Sequence, residues 1–179
     1  MIERQSRPSP RPTRTSSAAI LAACLAALVL GAAVSTASRA QSGPVQDLSR
    51  FPRATLEIHG HSGTHRFNVW IADNPARQTQ GLMFVRDLPA DEGMLFTNCC
   101  TGIWMKNTYI PLDILFIGAH QRIVKIAVRA QPFDLATISA APPISDVVEL
   151  KGGVAALLGL KVGDRVAWKT AEAKAPAKS

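Results

Sequence analysis

Between Trp104 and Asp113 the chain reads WMKNTYIPLD. An aromatic face, an ammonium, an amide, a hydroxyl and a carboxylate fall within ten residues around one proline. The indole offers a stacking surface, Lys106 a cation, and Asn107 and Thr108 hydrogen-bonding groups of both senses. A sugar or an anionic small molecule is held by this kind of set, a largely apolar face with a few placed polar groups. A turn needs neither the aromatic nor the cation to fold. Trp104, Lys106, Asn107, Thr108 and Asp113 are therefore expected to bind a small polar or glycan-like ligand. Arg77, whose planar fork suits carboxylate or phosphate, and Glu149 are expected beside them. The architectural alternative puts Trp104 in the core, pairs Lys106 with Asp113 or Glu149 at a strand end, and ties Arg77 to Asp73, Asp87 or a carbonyl.

Three other chemistries compete. Asp113 and Glu149 are distant in sequence and would have to converge to about 5 to 9 Å to act as the carboxylate pair of a hydrolase on envelope glycans. Asp91 and Glu92 are neighbours, so their side chains diverge. No G-x-S-x-G elbow, phosphate loop or H-E-x-x-H motif is present. Cys99 and Cys100 are the only cysteines after residue 40. In an oxidising compartment they are expected to be oxidised, as a strained eight-membered ring or between chains. With Met83, Met94 and Met105 they also admit a copper or redox reading, although each methionine equally fills core. His59, His61 and His65 have metal-like spacing. With Ser62-Gly63 as a hairpin turn, however, His65 points away from the other two, and a zinc site wants three or four convergent ligands. Neither a metal nor a cofactor is expected.

These residues must be positioned by strands. Leu56 and Ile58 alternate with Thr55, Glu57 and His59, and Phe67, Val69 and Ile71 with Arg66, Asn68 and Ala72. Period two marks half-buried strands, here joined at Ser62-Gly63. Asp73 or Asn74 caps a short helix opened by Pro75 and running to about Gly81. Further strands are expected at 94–97, 102–107, 113–118, 122–129, 144–150 and 164–169, with a second helix at 153–159. The fold class is mainly β, an antiparallel sandwich or barrel-like sheet with two short helices. The domain spans 54–170, after a polar linker at 41–53 and before an Ala/Lys/Pro tail at 171–179.

Residues 1–40 read as a secretory signal. An Arg-, Pro- and Ser-rich start precedes the uncharged run AAILAACLAALVLGAAV, and Ser38-Arg39-Ala40 sets small residues at a peptidase site. Cleavage is expected after Ala40, which places the domain in the periplasm or outside the cell. An uncleaved membrane anchor is the alternative, since the run of 17 residues is near the lower limit for a span. Cys24 resembles a lipoprotein cysteine, but apolar residues continue past it where a lipobox should close the run. The leader holds five arginines against one glutamate, +4 of the formal +7, and leaves +3 on the rest. A mildly basic domain with mixed signs gives no case for nucleic acid. Contact with a membrane is expected only through the signal segment.

The strings ARQTQGLMFVRDL (76–88), DEGMLF (91–96), WMKNTYIPLDILFI (104–117), VELKGG (148–153) and LGLKVGDRV (158–166) resemble the family known as domain of unknown function 192. The likeness covers about residues 54–169, and its Trp-Met-Lys-Asn-Thr segment is highly specific. It implies a compact, largely β domain, often behind an export signal, and carries no activity over. Thr97 to Gly102 departs from it, because members usually have a phenylalanine- and proline-containing loop there.

Mass spectrometry of the protein from its native host is expected to find a chain starting at Gln41. An intact Met1 start in the membrane fraction contradicts the export reading.

Overall fold

The computed structural model describes residues 47–171 except 101 and 142. The leader, Cys24, the Ala40–Gln41 cleavage point and most of the tail lie outside the described residues. Among those described, no helix is long and apolar enough to cross a membrane.

Seven strands close into a barrel. They are β1 (Arg53–Gly60), β2 (Gly63–Ala72), β3 (Glu92–Phe96), β5 (Leu112–Gly118), β6 (Arg122–Ala130), β8 (Ile144–Lys151) and β9 (Arg165–Thr170), in the order β1-β2-β3-β8-β5-β6-β9. Two short strands, β4 (Gly102–Ile103) and β7 (Ile138–Ser139), pair with each other outside it. All barrel pairings are antiparallel except β2 with β3. That parallel pair needs a crossover, which residues 73–91 supply with helix α1 (Pro75–Gln80). Asn74 caps α1 by accepting from the Arg77 N–H at 3.0 Å, and Pro75 occupies the first turn, where no N–H is missed. The second helix, α2, is one turn at Val154–Leu157.

The barrel lumen is filled by alternating side chains, among them Leu56, Ile58, Phe67, Val69, Leu95, Leu115, Val148 and Leu150. A second core lies on the outer face of β3, β5 and β8. There Met94, Phe96, Ile114, Phe116 and Val147 meet Phe51, Leu82, Leu88 and Met105 from the connecting loops. Every residue of β5 is therefore buried. An antiparallel strand covered on both faces loses its polar alternation.

Three expectations change. The hairpin turn is His61-Ser62, because Gly60 pairs with Gly63 and His59 with Thr64. Gly63 takes its positive φ of 119° at the start of β2, not inside the turn. The strand expected at 102–107 stops at Ile103, because the main chain turns at Asn107 (φ 55°). Residues 48–53 are not a free linker. Leu48–Arg50 is a single 3-10 turn, and Phe51 is buried in the outer core. Phe67, Val69, Ile71, Leu95, Ile114, Phe116, Val148 and Leu150 are buried, while Ile126 of β6 is half-buried.

Phe67→Ala in the lumen and Phe116→Ala in the outer core should each lower unfolding free energy by about 3–5 kcal/mol in urea titrations. A loss below about 1 kcal/mol at Phe116 shows that the outer layer is not a packed core.

Candidate functional site

The loops that cover the outer core are bound to one another through main chain. The Phe84 N–H donates to the Asn107 carbonyl at 2.9 Å, Phe133 N–H to Thr108 at 3.3 Å, and Met105 N–H to Asp134 at 2.8 Å. Three residues at this junction sit in the left-handed region: Phe84 (φ 66°), Asn107 (φ 55°) and Phe133 (φ 63°). Asparagine visits it readily, whereas a bulky phenylalanine there is an outlier that its surroundings must impose. The result is an aromatic cluster facing solvent. Tyr109 meets Phe84 edge-on with ring centroids 6.0 Å apart and Phe133 at 5.3 Å. The Arg86 guanidinium lies 4.8 Å over the Tyr109 ring. Phe84 and Phe133 are 41% and 56% exposed. In the same loop, Trp104 is 45% exposed and the Lys106 ammonium stands 5.0 Å over its ring.

Of the residues the sequence singled out, Trp104, Lys106 and Asn107 belong to this surface. Trp104 is not core, and the Lys106 contact runs to an indole, not to Asp113 or Glu149. Asn107 contributes its carbonyl, and its amide reaches the Met83 sulfur at 3.8 Å. Thr108 is buried; its hydroxyl donates to the Lys106 carbonyl at 3.3 Å and so shapes the turn. Asp113 is buried and accepts three main-chain N–H groups, from Arg129 at 2.8 Å, Gly153 at 2.9 Å and Ala155 at 2.8 Å. It caps α2 and pins β6, which leaves little of it for a ligand. Arg77 is held by Asp73 at 2.6 Å and the Arg50 carbonyl at 3.2 Å, over the Phe51 ring, with its Nε buried and without a hydrogen-bond partner among the described residues. It fastens α1 to the 3-10 turn. The sequence missed Phe84, Tyr109 and Phe133, since nothing in residue type announces a phenylalanine at positive φ.

Asp113 and Glu149 do not converge. Asp113 is in register with Leu150, whose side chain lies in the lumen, while Glu149 is in register with Ile114 and Met94, on the outer face. Glu149 is 4% exposed, and its Oε2 has no hydrogen-bond partner among the described residues. Removal from water pushes its carboxyl up to about 8, and the charge of Cys100 adds to the effect. Gly81 closes over it. A Cβ at Gly81 would stand 3.2 Å from the Phe96 ring and 3.9 Å from Oε2, and φ is 50° there.

Cys99 and Cys100 border the same outer core with their sulfurs 2.6 Å apart. The hydrogen bond shared with Cys99 draws the Cys100 thiol down to about 7 in spite of burial, and main-chain N–H groups of Cys100 and Gly102 assist. Cys99 is pushed up, first by the same hydrogen bond with Cys100, then by burial. Cys100 is thus the more readily ionised of the two sulfurs.

The histidines are engaged locally: His59 Nδ1 is 2.9 Å from the Thr64 hydroxyl, and His65 Nε2 is 3.0 Å from that of Ser62. Among the described residues no group of three or more His, Cys, Asp or Glu side chains is placed to hold a metal ion. A shallow cleft of about 340 Å³ lies between β2 and α2, lined in part by Arg66, Phe67, Val154 and Leu157. A second of about 330 Å³ is lined by His120, Gln121, Arg122 and Arg165. The first also takes in His65 and Asp91, and neither includes a residue of the expected ligand-binding set.

Residues 55–168 match the family model DUF192, described as an uncharacterized ACR. A crystal structure of a protein of unknown function from Novosphingobium aromaticivorans is 40% identical, with a TM-score of 0.66 over 75% of this chain and 99% of that one. A second, from Sinorhizobium meliloti, is described as a "putative transcription regulator". It is 38% identical, with a TM-score of 0.63 over 66% of this chain and 95% of that one. No curated protein matches the chain.

The raised Glu149 carboxyl makes stability depend on pH. Its folded value of about 8 lies above the ordinary 4.5, so its favourable contribution is complete below about pH 4.5 and is lost as pH rises toward 8. Glu149→Gln should remove that slope. Relative to the parent, the variant should gain a few kcal/mol between pH 5 and pH 8 in denaturant titrations. Parallel stability curves for the two proteins contradict the assignment.

Proposed function

The chain belongs to the family of domain of unknown function 192, and on that footing we propose that it is an exported binding domain for a small polar, glycan-like ligand. The observation that carries the reading is the solvent-facing aromatic and cationic surface held by backbone at positive φ at Phe84, Asn107 and Phe133. Bulky residues held in sparsely populated conformations mark sites where geometry is over-determined by the surroundings. The surroundings here are main-chain bonds among three loops, so the rings keep their places without a ligand. Such preorganisation lowers the ordering cost of binding.

The chemistry of the surface selects the ligand. A pyranose ring lies its C–H face on an exposed aromatic, and Trp104 and the Tyr109 cluster offer such faces. Lys106 and Arg86 stand over those rings as cations, ready to receive a carboxylate or sulfate at the ring's edge. The arrangement suits an acidic sugar better than a neutral one. Arg77, Asp113 and Glu149 are engaged or buried elsewhere in the fold and do not face the ligand. Residues 1–40 favour a site of action in the periplasm or outside the cell, where such glycans occur.

Glucuronate is the probe. Its addition should shift the indole and ring NMR signals of Trp104 and Tyr109, and Lys106→Ala and Arg86→Ala should each weaken the interaction by about tenfold. Both variants should melt within a few degrees of the parent, since exposed substitutions of this type cost little. Failure of neutral and acidic monosaccharides alike to move those signals contradicts the reading, as does a large drop in melting temperature for both variants.

A further inference from the structure

The cysteine pair and the buried carboxyl beside it are not used by the binding surface. Cys99 and Cys100 are half-buried at the rim of the outer core. Their loop is pinned to the start of β8. The Cys99 N–H donates to the Ser145 carbonyl at 3.3 Å, and the Asn98 N–H to the Asp146 carboxylate at 3.1 Å. The two sulfurs are within 2.6 Å of each other. The sulfurs are inequivalent. The shared hydrogen bond, burial and, less strongly, the buried Asp146 carboxylate disfavour a charge on Cys99, so Cys100 is the more readily ionised of the two. Further along the same strand stands Glu149, buried, with Oε2 lacking a hydrogen-bond partner among the described residues and within electrostatic reach of Cys100.

We propose that Cys99 and Cys100 form a reversible dithiol–disulfide centre for disulfide substrates, in which Cys100 attacks, Cys99 resolves, and Glu149 is the acid coupled to the oxidation state of the pair. The Cys100 thiolate attacks one sulfur of a substrate R–S–S–R. A Cys100–S–S–R bond forms, the R–S–S–R bond breaks, and R–S⁻ leaves. That thiolate takes the Cys99 proton and departs as R–SH. The Cys99 sulfur then attacks the Cys100 sulfur, the bond to R breaks, and a second R–S⁻ leaves. The pair has lost two electrons and one proton to the substrate, which is reduced to one thiol and one thiolate. An attacking thiol is most effective when its pKa lies near the ambient pH. The reverse sequence, begun by an external thiol, restores the dithiol.

Glu149 gives this exchange an electrostatic signature. While Cys100 is a thiolate, its charge disfavours a carboxylate at Glu149, so the glutamate holds its proton. Closing the disulfide removes that charge. Coupling of this type is reciprocal, so Glu149 then ionises more readily. Asp146 is the other acid that faces the pair and is present in both oxidation states.

Oxidised glutathione is the probe, applied at pH 7 to the reduced full chain carrying Cys24→Ser, in which Cys99 and Cys100 are the only thiols, and followed by acid-quenched mass spectrometry. The parent should lose two hydrogens and keep no glutathione. Cys99→Ser should stop at a stable glutathione adduct on Cys100, and Cys100→Ser should react at least tenfold more slowly. Nearly equal rates for the two variants overturn the assignment of roles, and a stable adduct or a disulfide-linked dimer of the parent overturns the centre itself. NMR titration of the Glu149 carboxyl should give a lower midpoint in the oxidised protein than in the reduced one. Equal midpoints overturn the coupling. The sulfur results stand apart from sugar binding, because no residue of the aromatic surface is changed.

Discussion

The antiparallel pair β5–β8 is covered on both faces, and the rest of the molecule follows from that constraint. Barrel strands ordinarily keep one face for solvent. Here Leu115, Val148 and Leu150 fill the lumen, while Ile114, Phe116 and Val147 point out of it and must also be covered. Burial of a large apolar side chain is worth about 1.5–3 kcal/mol, so the outward residues favour any chain that can be laid over them. The cover comes from connections: Phe51 before β1, Leu82 and Leu88 in the crossover, Met105 in the loop before β5. A connection that contributes to a core cannot move freely. These loops are therefore as fixed as the strands, and the surface they turn to solvent inherits that rigidity.

The same constraint explains the two unusual carboxylates. Asp113 reaches the inward face near a barrel end, where three N–H groups converge on it, and a charge so satisfied can be buried. Glu149, on the adjacent strand, faces the other way into an apolar layer with an unpartnered oxygen. A carboxyl in that position stays neutral near pH 7, because ionisation would place an unpaired charge in low dielectric. One carboxylate is part of the scaffold, while the other is an acid held in reserve beside a reactive sulfur.

The sequence made part of this legible. Alternation in β1 and β2 is clear in Leu56 and Ile58 and in Phe67, Val69 and Ile71, because each strand has one wet face. The run from Leu112 to Ile117 is apolar enough to read as a strand, but periodicity cannot say that its two faces serve different cores. The stretch from Trp104 to Thr108 imitates alternation and reads as a strand until the positive φ at Asn107 is known. Ser62-Gly63 reads as a turn because glycine marks one, yet Gly63 takes its positive φ one residue later, at the strand's start. Asp113 resembles a ligand-binding group because its partners lie 16, 40 and 42 residues away. Phe84 and Phe133 give no signal at all, since no local pattern asks a phenylalanine for a left-handed backbone.

A rigid aromatic surface, a pair of inequivalent sulfurs and a neutral buried acid all depend on one claim, that the outer face of β8 is sealed from water. Infrared difference spectroscopy tests it directly, by subtracting the spectrum of Glu149→Gln from that of the reduced parent at pH 7. A sealed outer core predicts a protonated-carboxyl band in the parent that the variant lacks. A difference spectrum showing only the bands of an ionised carboxylate means that Glu149 is hydrated, and the two-core account is then wrong.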